Sequence, residues 1–324
     1  MTASTRVNTV SEIWMDERQT LAASTRRRYR EVLDDHVLPA LGALTVAECT
    51  VTRADRFLKA TTRNTGPATA KLARTILSGT LGLAVRHGAI PTNPVRDTAG
   101  IEPKPSSEPR ALTAAEVAAA RDAISRWQAG EPIGGKAKRG RPPTQDLLDL
   151  VDTMLGTGAR IGEVLAIRWE DVDLEAGTVH ITGTIARDDA GKWVRQSHPK
   201  TSTSRRLLSL PAPVVDLLLR RRVNMTAPNA GDLAFPSTAG TARDPGSVRK
   251  QLGKVLEPAG LGWVTPHSFR RTVATELDRA VNLDTAAAQL GHDGTEVTRR
   301  HYVEQTHIGP QVGPILARLI TGSE

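Results

Sequence analysis

Residues 265–272 read Thr265-Pro266-His267-Ser268-Phe269-Arg270-Arg271-Thr272. Proline suits the first turn of a helix, because the N–H it lacks is one that the helix could not use. With Pro266 in that place, His267 and Arg270 stand three residues apart and share one helix face. A proton-transfer group and a bidentate phosphate binder then point into one pocket. Further along, Leu290-Gly291-His292 sets a histidine just past a glycine at a helix end, a place where the helix dipole alone would favour it. Arg299-Arg300-His301-Tyr302 follows, a tyrosine among cations. A phenol with its ordinary pKa near 10 is a poor nucleophile at neutral pH unless cations stabilise its anion. On the N-terminal side, His198-Pro199-Lys200-Thr201 carries a lysine on a turn between strands, which in isolation is a solvated group. Gly156-Thr157-Gly158-Ala159-Arg160-Ile161-Gly162-Glu163 places glycines around an arginine at a helix start. That arrangement can seat a phosphate on backbone donors and a guanidinium, or simply present a surface arginine after a turn.

In this order, Arg160, Lys200, His267, Arg270, His292 and Tyr302 resemble the catalytic set of the tyrosine recombinases, the phage integrase family. The resemblance runs over roughly residues 145–305, with a looser similarity of residues 10–96 to the family's core-binding domain. Nine residues separate His292 from Tyr302, where eight are expected in many members. The resemblance implies a site-specific DNA recombinase that cleaves and rejoins strands through a 3′-phosphotyrosyl intermediate. In that scheme Tyr302 attacks the scissile phosphate, while Arg160 and Arg270 stabilise the charge on its oxygens. Lys200 protonates the departing 5′ oxygen, His267 takes or returns the tyrosine proton, and His292 helps to hold the phosphate. Glu163 either orients these side chains or is an ordinary exposed helix glutamate. The bond energy stays in the covalent link, so neither ATP nor another cofactor is implied, and arginines stand where a metal would otherwise serve. A type IB topoisomerase would use related chemistry without a partner subunit. A DNA-binding regulator on the same fold would be expected to lack catalytic residues that this chain retains.

The expected architecture is mainly α with a small antiparallel β-sheet, an α+β chain. By resemblance it is a helical core-binding domain and a catalytic domain forming a C-shaped clamp around DNA. Residues 1–100 read as the helical domain. Ser24 is placed to cap a helix over 25–36. Residues 67–87 carry Leu72, Ile76, Leu77, Leu81 and Val85 near helical spacing, with Gly88 as the stop. Prolines 91, 94, 103, 105 and 109 mark the approach to a linker assigned to 101–112. The catalytic domain is assigned to 113–324, opening on a capping box from Thr113 to Glu116. Residues 129–143 form a basic loop, solvated or DNA-contacting. Helices over 146–157 and 160–167 precede a change of period: 178–185, 192–196 and 205–210 read as a three-stranded insertion. The pattern is helical again to the end, where Val312, Ile315, Leu316, Leu319 and Ile320 make one apolar stripe over 312–320. That helix can pack on its own domain, or pass to a neighbour in a cyclic homo-tetramer as family members commonly do.

The chain has 324 residues, enough for two domains. Its formal net charge is +8, and residues 1–100 hold 14 Lys and Arg against 9 Asp and Glu. A basic surface of this kind favours polyanions. Arg26, Arg27, Arg28, Lys71, Lys138 and Arg139 are therefore candidates for contacts with the phosphates of double-stranded DNA. One cysteine, Cys49, excludes a disulfide framework and a cysteine-rich zinc site. No apolar leader or membrane-length run occurs, so a reducing, cytoplasmic, DNA-associated setting in a bacterial host cell is expected. Two tyrosines, three phenylalanines and five tryptophans, 3% of the chain, argue against single-strand binding by stacked bases. The start of the chain leaves little room for an additional arm-binding domain, which would suit a simple integrase or a Xer-like resolvase. An accessory directionality factor would be a further partner.

Overall fold

The computed structural model describes residues 1–102, 110–132, 145–197, 205–225, 229 and 231–291. They form two compact units, Met1–Ser107 with Ala186–Lys192, and Glu108–Ile185 with Trp193–Glu324. Each has its own apolar core.

The first unit is helical. Helix α1 (Val7–Asp16) buries Val7, Val10 and Trp14, three positions of one helical stripe. Helix α2 (Ala23–Val32) begins one residue before Ser24, which therefore sits inside the helix; the residue at the cap is Ala22, with no side-chain bond. The chain continues through a π-helical turn, Leu33–Val37, into the short α3 (Leu38–Leu41). Pro39 can donate no N–H, and the helix departs from α geometry just before it. Thr50 caps α4 (Val51–Thr65), its Oγ accepting from the Arg53 N–H. Pro67 then opens α5 (Pro67–Arg86), which ends at His87 and Gly88 as the residue pattern leads one to expect. Its buried residues Ala73, Ile76, Leu77, Leu81 and Ala84 build the centre of this core.

Helices α1 and α5 meet at Gly79, where an added Cβ would lie 2.4 Å from atoms of the Trp14 indole. The indole is 2% exposed and stacks on Tyr29 at 5.7 Å, so it has no room to retreat. Gly79→Ala is therefore expected to lower stability by about 1–3 kcal/mol through overpacking, even though alanine is the better helix former. Thermal unfolding measures this, and an unchanged or raised melting temperature would show that the α1–α5 contact yields.

In the second unit, Thr113 and Glu116 form the expected reciprocal cap on α6 (Ala114–Gln128). Helix α7 (Leu147–Thr157) and the single turn α8 (Ile161–Val164) follow. The β region differs from the one continuous insertion read from the sequence. Strands β1 (Val172–Asp173), β2 (Thr178–Ile181), β3 (Thr184–Arg187), β4 (Trp193–Gln196) and β5 (Arg206–Ser209) make two sheets, ordered β1-β2-β5 and β3-β4. The run 178–185 breaks at Thr182, whose hydroxyl bonds the Asp171 carboxylate at 2.9 Å and also meets Arg195. Gly183 follows so close to the Gln196 carbonyl that a Cβ there would come within 2.7 Å of it. Side-chain bonding and a close backbone approach thus divide one β-prone run between two ladders.

Strand β2 pairs antiparallel with β1 and β5, setting Val179 opposite Leu208 and Ile181 opposite Arg206. Val179, Ile181 and Leu208 enter the core with Leu150, Val151 and Met154 of α7. Helix α9 (Ala212–Asn224) adds Leu217 and Leu218, and α10 (Pro245–Leu256) adds Leu252 and Leu256. Helix α11 (Pro266–Ala280) contributes Phe269 and packs on both α7 and α12 (Leu283–Leu290). No helix among the described residues is long and apolar enough to cross a membrane.

Candidate active site

Helix α7 ends at Gly158, in the left-handed conformation at φ 67°. A Cβ there would also come within 3.0 Å of Leu290 and Val273, so both the backbone angle and the space call for glycine. This turn presents Arg160 at the start of α8 and leaves the Gly158 carbonyl facing α11. The Arg270 guanidinium, wholly buried, donates to that carbonyl at 2.8 Å and to the Leu290 carbonyl at 2.7 Å. One side chain thereby ties together the ends of α7 and α12. Gln289 adds a parallel tie, its amide donating to the Thr157 carbonyl at 2.9 Å.

Glu163 lies beneath Arg160. Its carboxylate accepts from the Arg160 backbone N–H at 2.9 Å and from the Arg160 guanidinium at 2.8 Å. Arg206 donates at 2.9 Å to Oε2, the oxygen that also accepts from the Arg160 backbone N–H. Glu163 is 5% exposed. Burial pushes its carboxyl up, but the charges of Arg206 and Arg160 and their hydrogen bonds outweigh that and hold it below the ordinary carboxylate range. The exposed-glutamate alternative is thus set aside. The Arg160 side chain remains 41% exposed, tethered at one side and accessible at the other.

His267 and Arg270 both stand on α11, with Pro266 in its first turn. His267 is exposed as a residue. Partial desolvation is nonetheless the largest influence on its imidazole, followed by the charges of Arg271, Arg270, Arg160 and Arg249, and together they push its pKa down to about 4. The ring is therefore neutral at pH 7, with one nitrogen able to accept a proton. In the free protein its Cε1–H resonance, assigned with His267→Gln, should stay constant from pH 8 to 5.5 and shift only near pH 4. A midpoint of 6 to 6.5 would show that neither desolvation nor the arginines depress it.

The structure thus brings together Arg160, Glu163, His267 and Arg270. Lys200, His292 and Tyr302 lie outside the described residues, as do Lys138, Arg139 and the stripe at 312–320. Arg206 and Gln289 belong to the same cluster and were not read from the sequence. A signal for Arg206 was present: along β5 it alternates in phase with buried Leu208, while Leu207 between them is 66% exposed. An arginine on a core-facing strand position needs a partner. Among the described residues no group of three or more His, Cys, Asp or Glu side chains could hold a metal ion.

The candidate DNA-contact arginines of α2 are engaged within their own unit. Arg26 meets the Asp189 carboxylate and donates to the Gln19 carbonyl at 2.6 Å. Arg27 reaches the carbonyls of Asp188 and Arg187, and Arg28 pairs with Glu31 at 3.1 Å. Lys71 is exposed on α5.

A turn-held arginine, a buried second arginine and a neutral histidine thus stand around the Gly158 turn. Residues 140–307 match the model of the phage integrase family, and residues 7–101 match the phage integrase central domain. The chain belongs to the phage integrase family. A relative within this family of tyrosine recombinases, the tyrosine recombinase XerC-like protein of Caldanaerobacter subterraneus, is 30% identical over 176 residues, 48% of this chain and 44% of that protein. An integrase of Streptomyces ambofaciens is 26% identical over 295 residues, 87% of this chain and 71% of the relative. The chain spans about half the length of several curated relatives that it matches. Among solved phage integrase relatives, the Tn1549 transposon integrase in complex with a circular intermediate DNA superposes with a TM-score of 0.75 at 20% identity, covering 98% of this chain and 100% of that one. A lambda integrase tetramer bound to a Holliday junction gives 0.70 at 16% identity, covering 96% and 81%. These likenesses establish the fold: a core-binding domain followed by a catalytic domain, mainly helical with small sheets.

Proposed function

We propose that this chain is a site-specific DNA recombinase that breaks and rejoins duplex strands through a 3′-phosphotyrosyl intermediate. The observation that carries the reading is the convergence of Arg160, Arg270 and neutral His267 around the Gly158 turn. The phenol oxygen of Tyr302 attacks the phosphorus as the bond to the 5′ oxygen breaks. Its proton goes to His267, and Lys200 returns one to the departing 5′ oxygen. Arg160 and Arg270 stabilise the charge that grows on the non-bridging oxygens, with His292 assisting. For a buried guanidinium such as Arg270 that stabilisation exceeds what a surface charge supplies in water. Glu163 holds Arg160 in position for this task.

The core-binding domain is assigned to 1–100, the linker to 101–112 and the catalytic domain to 113–324. Double-stranded DNA lies against both domains, with Arg26, Arg27, Arg28, Lys71, Lys138 and Arg139 among the phosphate contacts. Exchange proceeds in a homo-tetramer on paired sites, with the 312–320 helix passed between neighbours; the lambda integrase tetramer on a Holliday junction supports that assembly by analogy. A nicked suicide substrate tests the reading. Covalent attachment that maps to Tyr302 and depends on a defined site is the expected result; rapid relaxation of supercoils at any sequence would favour a topoisomerase instead.

A further inference from the structure

We propose that Arg206 is a positioning residue for this site, coupling the strand that follows the Lys200 connection to Glu163, to Arg160 and to the end of α12. The inference rests on the recombinase reading for its consequence in catalysis, but its geometry stands apart from that reading.

Arg206 opens β5, and its side chain is only 8% exposed. Its Nη2 donates to Glu163 Oε2 at 2.9 Å, while its Nε donates to the Gln289 carbonyl at 2.8 Å. Glu163 in turn binds the Arg160 guanidinium through Oε1. Gln289 immediately precedes Leu290, whose carbonyl accepts from Arg270. A single guanidinium therefore touches the support of the first arginine and the helix end that supports the second. Its planar fork suits this double duty, since the two donors leave in fixed directions.

Charge gives Arg206 a second role. A buried carboxylate between two guanidinia is neutralised from both sides. Without Arg206, Glu163 keeps its burial and has Arg160 alone as the partner, so it draws on Arg160 more strongly and takes up a proton more readily. The charged groups acting on Glu163 among the described residues are Arg206 from β5 and Arg160 from its own turn. On α11, Arg270 reaches the Gly158 carbonyl, and His267, on which Arg160 acts, is neutral above about pH 4.

The test compares wild type, Arg206→Gln and Arg206→Lys. Glu163 has its pKa lowered by folding, so its pairing stabilises the protein at neutral pH and is lost as pH falls through the carboxylate range. The stability gap between wild type and Arg206→Gln should therefore widen as pH rises from 3 to 6, and be constant with pH in a Glu163→Gln background. With suicide DNA at saturation, single-turnover cleavage by Arg206→Gln should fall by about 10- to 100-fold with affinity kept within about threefold. Arg206→Lys, which keeps the charge but not the fork, should recover part of that loss. It also serves where the glutamine variant does not fold. A pH-independent gap, or cleavage at the wild-type rate, would overturn the proposal. Should wild type itself form no covalent complex, the recombinase reading fails, and the pH-dependent gap still decides whether Arg206 governs Glu163.

Discussion

Tyr302→Phe should abolish covalent attachment to DNA while leaving duplex affinity within a small factor of wild type. The substitution removes only the phenol oxygen, which is the atom assigned to form the bond to phosphorus; the ring and the basic residues beside it in the sequence, Arg299, Arg300 and His301, remain. Loss of a nucleophile is not a graded effect on a rate, so no phosphotyrosyl product should appear at any incubation time. The other tyrosine, Tyr29, stacks on Trp14 in the core of the first unit, and Tyr29→Phe should cleave normally provided that it folds. Denaturing electrophoresis of a labelled suicide substrate separates the two variants. Covalent product from Tyr302→Phe would falsify the assignment of the nucleophile, and with it the reaction scheme.

Arg270→Lys should reduce single-turnover cleavage by about 10²- to 10³-fold, the loss typical of removing one preorganised donor from a site of developing negative charge. Lysine keeps the charge but is a point donor on a flexible stem, and cannot reproduce two bonds in one plane to the Gly158 and Leu290 carbonyls. Those carbonyls fix the ends of α7 and α12, so a melting temperature lowered by the equivalent of about 1–3 kcal/mol should accompany the kinetic loss. DNA affinity should change far less than the rate, because many other contacts contribute to it. A folded Arg270→Lys protein that cleaves within tenfold of wild type would mean that the buried guanidinium is a structural tie alone.

The closest fit between residue pattern and structure came where the information is local. Thr113 with Glu116, Pro266 at the first turn of α11, and glycines at the ends of α5, α7 and α12 are each recognised within a few residues of the chain. Capping and backbone-angle preferences act over that range, so no distant partner is needed to see them. Ser24 shows the limit of this logic, since a good capping residue was placed one turn position inside α2 once the rest of the unit had packed.

The sequence by itself determined the family, the order of the candidate reactive residues and the pairing of His267 with Arg270 on one helix, because motif spacing and helical period are properties of the chain. What the tertiary structure alone decided is how those residues are held. Glu163 became a buried carboxylate between two guanidinia only because β5 delivers Arg206 from 43 residues away. His267 lost its ordinary basicity first through partial desolvation and then through the charges of Arg271 and Arg270 on its own helix, with Arg160 and Arg249 adding to them from other elements. The division of 178–185 between two sheets likewise depended on Asp171, Arg195 and Gln196 meeting Thr182 and Gly183. Coulomb fields and hydrogen bonds act through space, and the neighbours that supply them exist only after the chain has folded.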